Sequence, residues 1–200
     1  MATTPVTVRT ATTTDVDRIV DTLTTAFFHD PLWGPAFPDV ERRAEQAAAF
    51  WRLFVVSSLR YPWAMVTDNV EAVAVWLPPG AAELTEAEGA GYEAFVINLV
   101  GRPAAEQILA ISETFETARP DEPHFYLSLL ATHHDHRGAG LGMGLLRANL
   151  AQIDALGQAA YLESCNPANN NRYRSAGFSP LAELTMPSGH VVTTMWRPAR

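Results

Sequence analysis

Glycine occupies every second position over residues 138–144, in the stretch "DHRGAGLGMG". "HFYLSLLAT" precedes it with the composition of a buried strand, and "LLRANLAQIDALG" follows it with a helical pattern. The start of a helix leaves backbone N–H groups unpaired and carries partial positive charge, so it can bind an anion. Glycines before the helix let the backbone approach that anion closely. The run therefore predicts a phosphate-binding loop.

Two common phosphate-binding motifs do not fit this loop. A Walker-type loop ends in Gly-Lys-Ser/Thr, which is absent here. The dinucleotide fingerprint requires Gly or Ala at its third position, which is Met143 if the motif starts at Gly138 and Leu145 if it starts at Gly140. A third pattern, Arg/Gln-x-x-Gly-x-Gly/Ala, matches residues 137–142 without a mismatch.

The chain resembles the GNAT acetyltransferase superfamily, and within it the branch similar to puromycin N-acetyltransferase. The resemblance is carried by "VRTATTTDVD", "AVAVWLPPG", the loop "HDHRGAGLG", "YLES" and "NNNRYRSAGF", which together span nearly the whole chain. It implies one α/β domain over residues 1–200, with a cofactor-binding core of about residues 124–178. The implied sheet is central, mixed, mostly antiparallel and twisted, with six to seven strands and helices on both faces.

The resemblance also implies that acetyl-CoA is the cosubstrate and that the loop cradles its pyrophosphate. The strand before the loop would splay from its neighbour and pair with the pantetheine arm through free backbone groups. Asn169 is similar to the family asparagine that hydrogen-bonds the pantetheine amide, and Asn166 is an alternative. Arg137 would contact a phosphate or only stabilise the loop. The implied acetyl-CoA-binding residues are Leu130, Ala131, Thr132, Arg137, Gly138, Ala139, Gly140, Leu141, Gly142, Met143 and Asn169.

Two side chains are candidates for the chemistry of acyl transfer. Tyr173 matches the family tyrosine that protonates the leaving sulfur, and a phenol with a pKa of about 10 is close to an alkyl thiol, so the transfer is balanced. Its alternative is a core aromatic side chain. Glu163 resembles positions that supply a general base in some family members. Its alternative is a carboxylate at a strand end, paired with an arginine.

These features predict an acetyl-CoA-dependent N-acetyltransferase that transfers an acetyl group to a primary amine of a small molecule, directly in a ternary complex. Two alternatives stay open: a protein lysine or N-terminal acetyltransferase, and a non-catalytic acetyl-CoA-binding regulatory module. The family places its acceptor between N-terminal helices and the sheet, so residues 27–33 ("FFHDPLW") are expected to wall the acceptor site. Asp30 is the candidate partner of a cationic amine.

Composition excludes several classes. Lys and Arg number 14 against 22 Asp and Glu, and a net charge of −8 argues against non-specific nucleic-acid binding. The single cysteine, Cys165, cannot form an intrachain disulfide. The sequence shows no secretory signal and no apolar run of membrane-spanning length, so a cytoplasmic location without membrane contact is expected. The family resemblance makes a homodimer one expected assembly.

A metal site is not expected at "HHDH" (133–136). Adjacent histidines on an extended chain point in opposite directions, so only His134 and His136 could chelate together there.

The elements that must position these residues follow from periodicity. The first half predicts a strand over 6–10, a helix from Val16 with Thr13 or Thr14 as N-cap, a loop over 29–39 and a second helix over about 40–55. A hairpin over 63–67 and 71–77 comes next. Thr85 and Glu88 have the spacing of a capping box and mark another helix start.

The second half predicts a helix over 103–118, a strand over 124–132, a helix over 141–156 and a strand over 159–164. A short helix then ends at "YRSAGF", where Gly177 fits a left-handed cap with Phe178 packed behind it. Two strands joined at 187–189 close the chain.

Overall fold

The computed structural model describes residues 6–200, which form a seven-stranded sheet with helices on both faces. The strands are β1 (Val8–Thr10), β2 (Ala64–Thr67), β3 (Ala72–Leu77), β4 (His124–Thr132), β5 (Ala159–Ser164), β6 (Ser179–Thr185) and β7 (Val191–Arg197). The helices are α1 (Val16–Phe27), α2 (Trp33–Ala36), α3 (Arg43–Ser58), α4 (Glu86–Val100), α5 (Arg102–Ala118), α6 (Leu141–Ala155) and α7 (Asn170–Ser175).

The strand order is β1-β2-β3-β4-β5-β7-β6, and only the pairing of β4 with β5 is parallel. This confirms the predicted fold class. Helices α1, α3, α4 and α5 pack on one face, and α6 and α7 pack on the other. Among the helices of residues 6–200, none has the length and apolar character that a membrane crossing requires.

Strand β3 shows why the sheet has two cores. All six of its residues are buried, and they alternate between the faces: Val73 and Val75 belong to the first core, Ala74 and Trp76 to the second. A strand buried on both faces reads as a continuous apolar run, as "AVAVWL" does. The Trp76 Nε1–H donates to Oδ1 of Asn149 at 3.0 Å, which satisfies the oxygen of a buried amide inside α6.

The local signals at two helix ends are confirmed. Thr85 Oγ1 accepts from the N–H of Glu88 at 3.3 Å, and the Glu88 carboxylate accepts from the N–H of Thr85 at 2.7 Å, which completes the predicted capping box. Gly177 has φ of +94°, in the left-handed region, and Phe178 behind it is buried.

Two local predictions were wrong. Thr13 and Thr14 do not cap α1, because residues Thr13–Asp15 form a 3-10 turn whose Asp15 carboxylate accepts from the N–H of Thr12 at 2.8 Å. The predicted loop over 29–39 contains the four-residue helix α2. Its prolines and glycine hid the helix, and it begins where Asp30 Oδ1 accepts from the N–H of Trp33 at 3.1 Å.

The centre of the sheet is split. Strand β4 pairs with β5 only over His124–Tyr126, whereas on its other edge β4 stays paired with β3 as far as Thr132. Beyond Tyr126 the two parallel strands diverge, so the edge of β4 that faces β5 is left open for another extended chain. This is the divergence that the family resemblance implied.

Candidate active site

A cavity of about 530 Å³ lies where the open part of β4 meets the start of α6. We call it the α6 cavity. Its lining includes Tyr173 and every predicted acetyl-CoA-binding residue except Ala139, which is exposed on the loop. The structure therefore brings the end of β4, the glycine loop and α7 together around one space.

The glycine loop enters α6 through two left-handed residues. Gly138 has φ of +84° and Gly140 has φ of +79°, a conformation that side chains with a Cβ rarely adopt. Gly140 is also the N-cap of α6, and it has no side chain that could accept from the first N–H groups of the helix. Leu141, Gly142 and Met143, which carry those donors, line the α6 cavity.

The other two glycines serve packing. A Cβ on Gly142 would lie 2.6 Å from Oγ1 of Thr132, and a Cβ on Gly144 would lie 2.5 Å from Cγ2 of Val6. The missing side chains of Gly142 and Gly144 therefore also serve packing inside the protein, which the sequence did not indicate. Gly138 and Gly140 set the backbone, whereas Gly142 and Gly144 let α6 lie close to β4 and to the N-terminal segment.

Three polar side chains of the α6 cavity already have partners. Arg137 donates to the carbonyl oxygen of Ala26 at 2.7 Å, which ties the loop to the end of α1. Asn169 Oδ1 accepts from Arg172 at 2.8 Å. Asn166 Oδ1 accepts from the N–H of Ala168 at 3.0 Å, within its own turn. Both asparagines line the cavity, so both remain candidates for the pantetheine amide.

Tyr173 projects from α7 into the α6 cavity, with its ring edge-on to Phe178 at 6.2 Å. Burial raises the pKa of the Tyr173 phenol above its usual range, and the nearby Cys165 and Asp30 raise it further. The hydroxyl is therefore protonated at neutral pH. It is also a weaker acid than the ordinary phenol on which the expected balance with a thiol was based.

A second cavity, of about 410 Å³, lies between the helices of the first face and the sheet. We call it the aromatic cavity, because its rings are Trp33, Phe50, Trp51, Phe54, Tyr92, Phe115 and Tyr126. Its polar lining comes mainly from Glu83, Arg119 and Ser128, and from Glu163 at the end of β5. Cavities of this size hold small organic molecules.

Glu163 is the buried carboxyl group of the aromatic cavity. Burial raises its pKa from 4.5 to about 7, against the lowering effects of the Tyr126 hydroxyl and the Arg119 guanidinium. Its Oε1 is closed off from solvent and accepts no hydrogen bond from the residues described, 6–200. Arg119 forms its ion pair with Glu83 instead of Glu163, at 3.3 Å. Burial thus brings the pKa of Glu163 close to the range in which a carboxyl group is an efficient base at neutral pH.

The two predicted catalytic residues line different cavities. Neighbouring residues of three segments divide between these cavities: Asp30, Leu130 and Asn166 line the α6 cavity, whereas Trp33, Leu129 and Cys165 line the aromatic cavity. Leu129 and Leu130 lie on opposite faces of β4, beyond the last residue that pairs with β5. The linings of the two cavities thus come from opposite faces of the sheet at the gap between β4 and β5.

Asp30 does not lie in the aromatic cavity, where a partner for the acceptor amine was expected. Its carboxylate caps α2 by accepting from the N–H groups of Leu32 at 3.0 Å and Trp33 at 3.1 Å. Burial raises its pKa. Of the predicted segment 27–33, Trp33 is the residue that walls the aromatic cavity.

The histidine-rich segment 133–136 was expected to be extended, but it is not. Residues His134–His136 form a 3-10 turn, which brings candidate ligand atoms of His133, His134 and Asp135 within 4.8 Å of one another. An extended chain would have allowed only His134 and His136 to chelate together, whereas the turn brings this different set together. His133 also lies 3.4 Å from the carboxylate of Asp21, so its ring joins the loop to α1.

Sequence reasoning missed most polar residues of the aromatic cavity. Glu83 lies in the segment before α4, Arg119 follows α5, and Tyr126 and Ser128 lie in β4. Nothing in their spacing marks them, because they meet only after the sheet and α5 have packed together. Tyr126 carried the one usable signal, as an aromatic residue in a predicted strand.

No family model matches the chain. Solved structures do match it over nearly its full length. The Corynebacterium glutamicum protein named histone acetyltransferase HPA2 and related acetyltransferase is 26% identical, with a TM-score of 0.73 and 98% of each chain covered. The fold is that of GNAT acetyltransferases.

More distant structures have the same GNAT fold. An agmatine N-acetyltransferase is 15% identical, with a TM-score of 0.66 over 96% of this chain and 98% of that one. Arylalkylamine N-acetyltransferase 2 from Aedes aegypti is 13% identical, with a TM-score of 0.65 over 98% of this chain and 100% of that one. The Corynebacterium glutamicum neighbour, at 26% identity, supports the predicted enzyme class, an acetyl-CoA-dependent acyltransferase, whereas the two more distant structures show the fold alone.

Proposed function

We propose that this protein transfers the acetyl group of acetyl-CoA to the primary amine of a small molecule, while both substrates are bound. The observation that carries the proposal is that neighbouring residues, Leu130 with Leu129 and Asn166 with Cys165, line the two cavities at the gap where β4 and β5 diverge. An acyl donor in the α6 cavity and an amine in the aromatic cavity would meet through this gap, and such positioning supplies much of the rate enhancement of a two-substrate reaction.

The α6 cavity fits acetyl-CoA in two respects. The N-terminus of α6, entered through the left-handed Gly138 and Gly140, presents backbone donors of the kind that bind a pyrophosphate. The open edge of β4 over residues 127–132 offers backbone groups to the amides of the pantetheine arm, in the manner of an added strand. Acetyl-CoA supplies the activated acyl group.

The remaining chemistry is assigned to side chains of this chain. Glu163 takes a proton from the acceptor ammonium, and the freed nitrogen forms a C–N bond with the thioester carbonyl carbon. A backbone N–H on the open edge of β4 stabilises the oxyanion. As the C–S bond breaks, the nitrogen loses its second proton to solvent and Tyr173 gives its proton to the departing sulfur. Tyr173 then regains a proton from solvent, and Glu163 releases to solvent the proton that it took. The products are the N-acetylated amine and the free thiol of CoA.

A small-molecule acceptor is favoured over a protein. The aromatic cavity is walled by residues of α3, α4, α5 and β4, and its volume of about 410 Å³ matches a small ligand rather than a peptide groove. The agmatine and arylalkylamine enzymes with the same fold are named for small amines. The finer assignments, to the branch similar to puromycin N-acetyltransferase, to a cytoplasmic location and to a homodimer, are part of this proposal.

The proposal is tested by release of free thiol from acetyl-CoA in the presence of a panel of amines, with mass spectrometry of the products. We expect thiol release that depends on the amine and forms its N-acetyl derivative. A non-catalytic binding module would bind acetyl-CoA by calorimetry and release no thiol with any amine. A protein acetyltransferase would release thiol only with peptides.

The role of Tyr173 is tested with Tyr173→Phe, which keeps the ring packed against Phe178 and removes the hydroxyl. We expect kcat to fall by about 10²-fold, because the departing sulfur loses its proton donor. The Kd for acetyl-CoA should change by less than about threefold, since a mainly transition-state contact is lost. Tyr61→Phe, in a tyrosine outside both cavities, is the matched control. An unchanged kcat in Tyr173→Phe would remove this residue from the chemistry.

A further inference from the structure

Glu83 and Arg119 form an ion pair inside the aromatic cavity, so each neutralises the charge of the other there. Arg119 Nη2 lies 3.3 Å from Oε2 of Glu83, and the guanidinium lies over the ring of Tyr126 at 3.9 Å. Ser128 donates to the other carboxylate oxygen of Glu83 at 2.6 Å. Neither side chain of the pair is more than about a quarter exposed. The pair therefore forms part of the cavity wall.

This pairing decides which charges an acceptor can bring. A carboxylate on the acceptor would find the charge of Arg119 already neutralised by Glu83, although the Arg119 Nε–H has no acceptor among residues 6–200. A second ammonium would need Glu83, which already accepts from Arg119 and Ser128. Glu116 lies exposed at the rim, where solvent screens its charge. The charge left for the acceptor is that of Glu163, which faces the reacting amine in the proposed function.

The rest of the wall favours an apolar body. Aromatic rings give large contact area at low cost in conformational entropy, and they attract a single cation through their faces. Burying an uncompensated carboxylate among such rings is unfavourable, since the charge loses its hydration without gaining a partner.

We propose that the Glu83–Arg119 pair determines acceptor specificity, so that the acceptor is a primary amine on an aromatic or bulky apolar group, with neither a carboxylate nor a second cationic group. This inference rests on the proposed function for the identity of the aromatic cavity as the acceptor site. It adds the substrate class and names the two residues that set it. Each partner of the pair keeps the other from binding an acceptor charge.

The test measures Kd by calorimetry in the presence of free CoA, so that amines bind without reacting. The probes are phenethylamine, phenylalanine and putrescine, of which the second adds only a carboxylate to the first. The wild-type protein should bind phenethylamine at least about tenfold more tightly than either of the others, a difference of about 1.4 kcal/mol.

Two variants should each weaken this preference for phenethylamine, one by admitting a carboxylate and the other by admitting a second ammonium group. Glu83→Gln frees Arg119, so this variant's preference for phenethylamine over phenylalanine should be about tenfold smaller than that of the wild type. Arg119→Gln frees Glu83, so binding of putrescine should improve relative to phenethylamine, whereas phenylalanine gains nothing. Because the two variants act independently, one of them suffices if the other fails to fold. Glu113→Gln removes an exposed carboxylate of α5 outside both cavities and should leave all three Kd values unchanged.

The inference is overturned if wild-type protein binds phenylalanine or putrescine as tightly as phenethylamine, or if the folded variants keep the wild-type preference. Failure of the proposed function looks different: thiol release from acetyl-CoA would be absent with every amine, while the binding preference and its reversal in the variants persisted.

Discussion

Glu163 is the residue whose environment most resembles that of a general base. A carboxyl group is an efficient base at neutral pH only if its pKa is raised, and burial raises the pKa of Glu163 to about 7. An ordinary exposed glutamate, such as Glu116 at the rim of the same cavity, lacks that burial. The same burial that makes Glu163 useful also makes its ionised form unfavourable in the folded protein.

The raised pKa of Glu163 predicts how kcat/KM depends on pH. If Glu163 takes the proton of an acceptor ammonium, kcat/KM should rise tenfold per pH unit below about 7 and then level off. In Glu163→Gln the break at about 7 should disappear, and kcat/KM at pH 7.5 should fall by about 10²-fold. Glu116→Gln should keep the break. A break at about 7 that survives in Glu163→Gln would mean that another group is the base.

Glu163→Gln should lower kcat/KM but raise the stability of the folded protein above neutral pH. The folded protein binds the Glu163 proton more tightly than the unfolded chain does, so this group lowers stability as pH rises from its ordinary pKa of 4.5 through about 7. Glu163→Gln should therefore unfold at a higher temperature than the wild type at pH 8 and at a similar temperature at pH 4. Thermal melts at the two pH values measure this, and a variant less stable at pH 8 would contradict it.

At the scale of elements, the start of α6 carries cofactor binding. Gly140→Ala places a Cβ at φ of +79°, which costs about 1–2 kcal/mol of backbone strain. Relief of that strain should rotate the first N–H groups of α6 away from the cavity, so we expect the Kd for acetyl-CoA to rise about tenfold.

The matched control for Gly140→Ala is Gly157→Ala, just past the other end of α6. Gly157 has φ of +63°, with no atom within 4 Å of an added Cβ, and it lies outside both cavities. Both variants should lose similar stability, and only Gly140→Ala should weaken acetyl-CoA binding. Equal Kd values in calorimetry would show that the α6 entry does not hold the pyrophosphate.

Elements with a strong period could be predicted from the sequence, whereas contacts between distant elements could not. The bounds of β4 and β5 match those predicted, because turn residues and helical patterns flank both runs. Helix α2 was missed because it is held by a side-chain cap at Asp30 and by packing rather than by period. The Glu83–Arg119 pair joins residues 36 positions apart, and no local pattern records such a meeting.

At the scale of the whole molecule, the split between β4 and β5 that opens the site also weakens the sheet. Only three residue pairs join these strands, so the two halves of the sheet need another connection. Part of it is a buried ion pair: Arg197 of β7 binds Asp154 of α6 through two bonds, at 2.5 and 2.7 Å. Arg197 also donates to the carbonyl oxygen of Ala176 after α7, at 3.1 Å. One guanidinium thus joins three elements of the second face.

Asp154→Asn tests this connection, because it leaves the Arg197 guanidinium, only 4% exposed, without its counter-charge. Removing one partner of a buried pair costs about 3 kcal/mol, which corresponds to a fall in Tm of about 6–12 °C for a chain of this size. The Arg197 charge lowers the pKa of Asp154, so this stabilisation is present above the ordinary pKa of 3.8 and is lost as pH falls through the lower folded value. Asp17→Asn removes the exposed partner of Arg52 and should change Tm by less than about 2 °C. If Asp154→Asn lowered Tm no more than Asp17→Asn does, α6 and β7 would be held together by apolar packing alone.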